Sequence, residues 1–378
     1  MFIPRELESQ IINKLKTFSK AVVIYGARQV GKTTLVDSII QNLQYKTLSI
    51  NADEEKYIDV FSSRDLSKMK SLVEGYQMIV IDEAQRIPNI GINLKILCDG
   101  LPDLKIIATG SSSFELANKI FEPLTGRIWS FLLHPLSWLE LKKHTYNSFE
   151  LNNLQNQWLI YGGYPEIFTT INNNSKEDLL KEIGRSYLYK DVFALASIKY
   201  TSKVKDLLKL LAFQVGDEVS IQELSNSLSI SREAIEHYID LLEKAFIIFR
   251  LSGFSRNLRK EVTKMDKIYF YDLGIRNMVI DDFKAMNNRN DIGQLWENFI
   301  ISERQKKLTY QKISFSPFFW RVHTGAEIDY VEEKGNKLFG YEFKYGKKKV
   351  KAPLSWINTY SNSSFELINQ NNYLKFIS

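Results

Sequence analysis

From Gly26 to Thr33 the sequence reads GARQVGKT, the spacing G-x-x-x-x-G-K-T of a phosphate-binding loop. Glycines at the two ends let the backbone curl, so that Gly26, Ala27, Arg28, Gln29, Val30 and Gly31 turn N–H groups toward phosphate oxygens. Lys32 adds a positive charge near the β and γ phosphates, Thr33 supplies a hydroxyl for Mg²⁺, and Thr34 completes the contact set. The bulky side chains of Arg28 and Gln29 are expected to point outward. A second motif, MIVIDE, ends an apolar run in Asp82 and Glu83. Asp82 is expected to hold Mg²⁺ through water, and Glu83 to polarise an attacking water. A third run, from Lys105 to Ala108, ends in Thr109-Gly110-Ser111, where Ser111 is the candidate sensor of a γ-phosphate or else a helix cap. Arg127, in LTGR, is a candidate to reach a γ-phosphate in cis or across a subunit boundary; the alternative is a surface cap.

At the other end, TGAEIDYVEEKGNKLFGYEFKYG reads as a hairpin. Strand alternation puts Glu327 with Asp329 on one face and Glu342 with Lys344 on one face of the returning strand. Two carboxylates and a lysine at such an edge suit Mg²⁺ beside a scissile phosphate, with the lysine orienting water. Lys347, Lys348, Lys349 and Lys351 follow, either to grip backbone phosphates or as a solvated turn.

These residues need elements to hold them. Ala21–Tyr25 (AVVIY) is a short β-branched run that suits a buried parallel strand before the loop, and GKTTLVDSII continues as a helix. From about 149 to 199 apolar residues recur at helical spacing, interrupted by the turn Gly163-Tyr164-Pro165. Residues 203–272 read as helix, short helix opened by a Ser220…Glu223 capping box, helix, and two strands, which is a winged helix-turn-helix plan. The outward positions of its last helix, Arg232, Glu233, Glu236, His237 and Asp240, suit phosphates poorly. The wing carries Arg250, Arg256, Arg259, Lys260, Lys264 and Lys267. It is read either as a DNA contact or as part of a protein-packing module.

The chain has 378 residues, 44% hydrophobic and 25% charged, which fits several folded domains. The net charge of +6 permits a nucleic-acid partner without requiring one. One cysteine excludes an internal disulfide, and no apolar run is long enough to span a membrane, so a cytoplasmic protein with no membrane partner is expected.

GARQVGKTTL, IDEAQRIPNI, ATGSSSFEL, LTGR, HPLSWLEL and GGYPE, in that order, resemble the bacterial and archaeal AAA-like ATPases whose carboxy-terminal half is an uncharacterised domain related to PD-(D/E)XK nucleases. The resemblance implies an ATP site on Gly26, Gly31, Lys32, Thr33, Asp82 and Glu83, with Gly163-Tyr164-Pro165 in a helical segment near the nucleotide. It also implies a catalytic trio Asp329, Glu342 and Lys344, with Glu297 from the preceding helix joining Asp329 and Glu342 as the acids that hold a metal. The expected fold is α/β: a P-loop three-layer sandwich at 1–145, a helical lid at 146–200, a winged helix at 201–275 and a restriction-endonuclease-like domain at 276–378. The expected cofactors are ATP and Mg²⁺. The expected activity is ATP hydrolysis coupled to binding or cleavage of DNA or other nucleic acid. The alternative is an ATP-dependent switch that binds a protein partner or its own copies and cuts nothing.

Overall fold

The computed structural model describes residues 2–111, 124–144, 146–186, 201–255, 265–322, 325–346 and 350–378. The chain divides into two compact units. The first holds Phe2–Pro135 with Lys244–Phe246, and the second holds Leu136–Glu243 with Ile247–Ser378.

The first unit is built on five parallel strands: Ala21–Tyr25 (β1), Thr47–Asn51 (β2), Met78–Asp82 (β3), Lys105–Gly110 (β4) and Ile128–Leu132 (β5). Their order is β2-β3-β4-β1-β5. The three central strands are apolar runs because both of their faces are covered, whereas β2 and β5 at the edges are only partly buried. Ile79, Ile81, Ile106 and Ala108 pack with Ile90, Leu94 and Leu97 of the helix Ile90–Gly100 and with Phe61 and Met69. Parallel strands need a return crossover, so every strand ends at the same edge of the sheet. At that edge β1 runs into GARQVGKT, β3 into Glu83 and β4 into Ser111.

The second unit joins helices to one seven-stranded sheet. The helices Ser148–Tyr161, Pro165–Thr169 and Asn173–Ile183 come first, then Thr201–Phe213, Ile221–Leu228 and Arg232–Lys244. The strands are Glu218–Val219 (β6), Ile248–Gly253 (β7), Asp266–Phe270 (β8), Ser316–Arg321 (β9), Glu327–Lys334 (β10), Lys337–Phe343 (β11) and Ser363–Ile368 (β12). Their order is β12-β11-β10-β9-β7-β8-β6. β7 lies antiparallel to β8 and parallel to β9, with Ser252 opposite Phe318 and Gly253 opposite Phe319. A single sheet therefore crosses the expected boundary at 275/276. The helices expected as a lid on the nucleotide core also fall in this unit, with the carboxy-terminal strands.

The long helix Ile292–Tyr310 anchors the sheet through charge as well as apolar packing. Arg304 grips Glu332 of β10 with two hydrogen bonds, of 2.7 and 3.0 Å, and donates a third to Phe376 O at 2.8 Å. Burial pushes the Glu332 carboxyl up, but hydrogen bonds and charge from Arg304 and Lys334 outweigh it and hold the group below the usual carboxylate range. Glu332→Ala should therefore cost about 3–5 kcal/mol in denaturant unfolding near neutral pH, because it strands a largely buried guanidinium. A depressed folded value means this stability is present above the unfolded carboxylate value and is lost as pH falls through the folded one. The gap between wild type and variant should narrow in that acid range; a gap that widens there would contradict the assignment.

Candidate functional site

The loop after β1 is fixed by close backbone approach. Gly26 has φ +149°, and a Cβ there would lie 2.1 Å from Leu133 O at the end of β5. Gln29 (φ 60°) and Gly31 (φ 92°) complete the curl. Gln29 is exposed as expected, while Arg28 is half-buried and close enough to Lys32 to act on its charge. Arg5, which carries no local motif signal, is buried and donates to Val30 O of the loop at 2.7 Å and to His134 O at 2.6 Å. Lys32 is also buried, and its Nζ donates to Gly26 O and Ala27 O at 2.9 Å each. Burial pulls its pKa down to about 8; Glu83 and Asp82 oppose the shift and Arg28 adds to it.

Asp82 gathers the neighbouring groups. Its Oδ2 accepts from Thr33 Oγ1 at 3.3 Å, and its Oδ1 accepts from Thr109 Oγ1 and, at 3.2 Å, from the Glu83 N–H. Thr33, on the first turn of the helix Lys32–Leu43, thus meets the acid at the end of β3. A hydroxyl and a carboxylate oxygen side by side form a hard-oxygen donor set that fits Mg²⁺. Glu83 takes a left-handed backbone (φ 52°) as the chain turns out of β3. Gln85, buried on the following turn, donates from Nε2 to Glu83 Oε2 at 2.5 Å and to Ser111 Oγ at 3.2 Å. Ser111, at the end of β4, is thus brought to the same edge as Glu83.

Arg127 is not. It precedes β5, its carbonyl accepts from Ala21 N at the start of β1, and its Nε donates to Asp99 at 2.7 Å. It therefore lies at the opposite edge of the sheet from the phosphate loop, a strand length or roughly 13 Å away. The expected cis contact with a γ-phosphate fails on that placement.

The terminal acids do come together, but around lysines. Lys344 Nζ lies 2.7 Å from Glu342 and 3.9 Å from Asp329, and Asp329 Oδ2 accepts the Phe343 N–H at 2.7 Å. A register shift between Ile328 and Val331 breaks the expected alternation, so β10 runs buried from Ile328 through Glu332. Glu297 accepts from Tyr269 OH at 2.6 Å and lies 3.8 Å from Lys267, which also pairs with Glu327. Burial, then Glu297 and Glu342, push the Asp329 carboxyl well above the usual range. Burial likewise raises Glu297, with Lys267 and Tyr269 pulling it back. For Lys267 and Lys344 burial works downward, but the surrounding acids outweigh it and raise both. Among the described residues no three acidic, histidine or cysteine side chains form a group that could hold a metal ion. Lys267 and Lys344 offset only part of this charge, because the two ammonium groups are shared by four carboxylates, Glu297, Glu327, Asp329 and Glu342.

Two further expectations change. Lys267, expected on a phosphate-facing wing, is 4% exposed, and Arg250 is tied to Asp240 and Glu243. The other wing cations (Arg256, Arg259, Lys260 and Lys264) and Lys347, Lys348 and Lys349 lie outside the described residues, while Lys351 is exposed. In the expected Gly163-Tyr164-Pro165 element, Gly163 N–H donates to Asp272 Oδ2 at 2.7 Å. A Cβ on Gly162 would lie 2.1 Å from that carboxylate. Lys267, Tyr269 and Asp272 carry no local spacing signal, because their partners are distant in sequence.

Residues 18–142 match the family described as an AAA domain. Residues 152–287 and 292–366 match two domains of unknown function, DUF8612 and DUF4143. The uncharacterized protein MJ1544 of Methanocaldococcus jannaschii is 30% identical over 355 residues, covering 89% of this chain and 76% of that one. The uncharacterized protein Rv2008c of Mycobacterium tuberculosis is 26% identical over 347 residues, covering 91% and 74%. Among solved structures, the Walker-type ATPase PABY2304 of Pyrococcus abyssi aligns with a TM-score of 0.50 at 17% identity, covering 74% of this chain and 96% of that one. That likeness shows an α/β P-loop ATPase fold. Among the described residues no helix is long and apolar enough to cross a membrane.

The buried Lys32 makes nucleotide binding pH-dependent. An ammonium that loses its proton near pH 8 offers no charge to a phosphate above that value. ATP affinity should fall as pH rises from 7 to 9.5, with proton uptake on binding at the upper end. Calorimetry in buffers of different ionisation enthalpy checks this; affinity that stays flat across the range would contradict it.

Proposed function

The chain belongs to the family represented by MJ1544 and carries an AAA-type ATPase domain followed by distinct domains of unknown function, and we propose that it is an ATP-driven switch whose second unit holds a partner rather than cutting one. The observation that carries the ATPase half is the meeting of Thr33 with Asp82 at 3.3 Å, beside Lys32 and Glu83. In this reading Gly26–Thr34 cradle the phosphates and Lys32 releases its loop carbonyls to bind the β and γ oxygens. Thr33 and Asp82 would hold Mg²⁺, which when bound neutralises charge on the phosphates. Water attacks the γ-phosphorus, its proton passes to Glu83, and the bond to the β-phosphate oxygen breaks with its electron pair leaving on ADP.

For the second unit we read residues 201–270 as a winged helix, supported by the order helix, β6, helix, helix, β7, β8. We read residues 292–368 as restriction-endonuclease-like, supported by one long helix, the β9-β10-β11 meander and β12 parallel to β11 after a further helix. Lys267 and Arg250, tied to acids rather than free on a wing, favour holding a partner over gripping a nucleic acid for cleavage.

Lys32→Ala should weaken ATP binding by about 1.5–3 kcal/mol, the value of a charge-assisted contact. Glu83→Gln should keep ATP affinity while phosphate release falls about a hundredfold. Unchanged affinity in a folded K32A variant would remove the site, and a parental rate in E83Q would remove the base. The intact protein should leave DNA and RNA uncut with Mg²⁺ or Mn²⁺, with or without ATP. Metal-dependent cleavage abolished by Asp329→Ala would replace the switch with a nuclease.

A further inference from the structure

Glu83 is not held by its own backbone alone. A base at a strand end has freedom about its side-chain torsions, and an acid that must face one water works best when a third group fixes it. Such a group is present. The Gln85 amide sits on the turn Ala84–Arg86, 4% exposed, and its two N–H bonds are directed at two partners. One is Glu83 Oε2 at 2.5 Å and the other is Ser111 Oγ at 3.2 Å. Ser111 is itself 9% exposed, at the end of the strand that lies between the phosphate loop and Asp82 in the sheet. A hydroxyl that accepts one hydrogen bond keeps its own proton to donate elsewhere. In the bond to Gln85 Ser111 is the acceptor, so that bond does not use its proton.

We propose that Gln85 is a positioning residue for Glu83, and that Ser111 fixes Gln85 in turn. The three side chains form a relay from the phosphate-facing end of β4 to the base at the end of β3. Gln85 engages Oε2 of Glu83, which leaves Oε1 to face the attacking water. Ser111 sets the angle of the amide, and a γ-phosphate that draws the Ser111 proton tightens the arrangement. The residue type follows from the geometry. Gln85 needs a side-chain donor with two hydrogens and three carbons of reach, and asparagine falls one carbon short. The relay parallels a second tie between the same strands, in which Thr109 bonds to Asp82. That tie serves the magnesium-side acid, whereas the Gln85 relay serves the base.

This inference rests on Glu83 being the base of ATP hydrolysis, and the test separates the two. ATP turnover and ATP affinity are measured for the full chain and for Gln85→Ala, Gln85→Asn, Ser111→Ala, Ser111→Thr and Glu83→Gln, each with its melting temperature. Q85A and Q85N should lose about tenfold to a hundredfold in kcat, with KM and ATP affinity unchanged. S111A should lose part of that, and S111T, which keeps the hydroxyl, should recover it. Q85A combined with E83Q should turn over no more slowly than E83Q alone, because Gln85 acts only through Glu83. A parental rate in E83Q would overturn the base itself. Loss in E83Q together with a parental rate in Q85A would overturn the relay and leave the base standing. Loss of ATP affinity in step with kcat, or an additive loss in the double variant, would make Gln85 merely structural and also overturn the relay. Should Q85A fail to fold, the comparison of S111A with S111T decides, and equal rates in the two would count against the relay.

Discussion

The carboxylate of Asp82 accepts hydrogen bonds from Thr33, from Thr109 and from the Glu83 N–H. Through these it ties the helix after the phosphate loop, the end of β4 and the start of the turn that carries Gln85 to one point. The tie is available only because the strands are parallel and end at the same edge. Gly26 supplies the complementary constraint, since nothing larger than hydrogen fits between it and Leu133 O. Together they hold Lys32, Thr33, Asp82 and Glu83 in one small volume although Lys32 and Asp82 are fifty residues apart in the chain.

The contrast with the terminal acids is one of charge compensation. Asp82 accepts from two hydroxyls and an amide, neutral donors that satisfy its lone pairs, with the Lys32 ammonium close enough to feel its charge. Asp329, Glu342, Glu297 and Glu327 instead share Lys344 and Lys267. Crowded carboxylates need cations, and here the chain supplies two for four acids. One of the two comes from β8, the strand that the sequence suggested for a DNA-facing wing. Lys267 fastens β8 to Glu297 of the helix Ile292–Tyr310 and to Glu327 of β10, while Lys344 pairs with Asp329 and Glu342 beside them.

Much of the nucleotide site was legible because its signals are local. GARQVGKT must curl, AVVIY must be buried on both faces, and MIVID must end where its apolar run ends. Ser220 at the mouth of the helix Ile221–Leu228 was legible for the same reason, and its side chain accepts from Glu223 N. What the sequence concealed depends on partners far along the chain. Arg5 reaches Val30 and His134, Lys267 reaches Glu297 and Glu327, and Asp272 reaches Gly163. Arg127 misled because an arginine after a glycine carries no sign of which edge of the sheet it will occupy. Alternation misled beyond Asp329, where one extra residue in β10 puts Ile328 and Val331 in one apolar cluster, and a bulge leaves no mark in a string of mixed acids and apolar residues.

The most direct test of the central claim, that the strand edge around Asp82 is a working ATPase site, is phosphate release from ATP by the intact protein and by Asp82→Asn. Asparagine keeps the size of the side chain and one acceptor oxygen while removing the charge. Wild type should release phosphate with multiple turnovers, and D82N, at an unchanged melting temperature, should fall about a hundredfold or more. A D82N variant that hydrolyses ATP at the wild-type rate would show that the chemistry lies elsewhere.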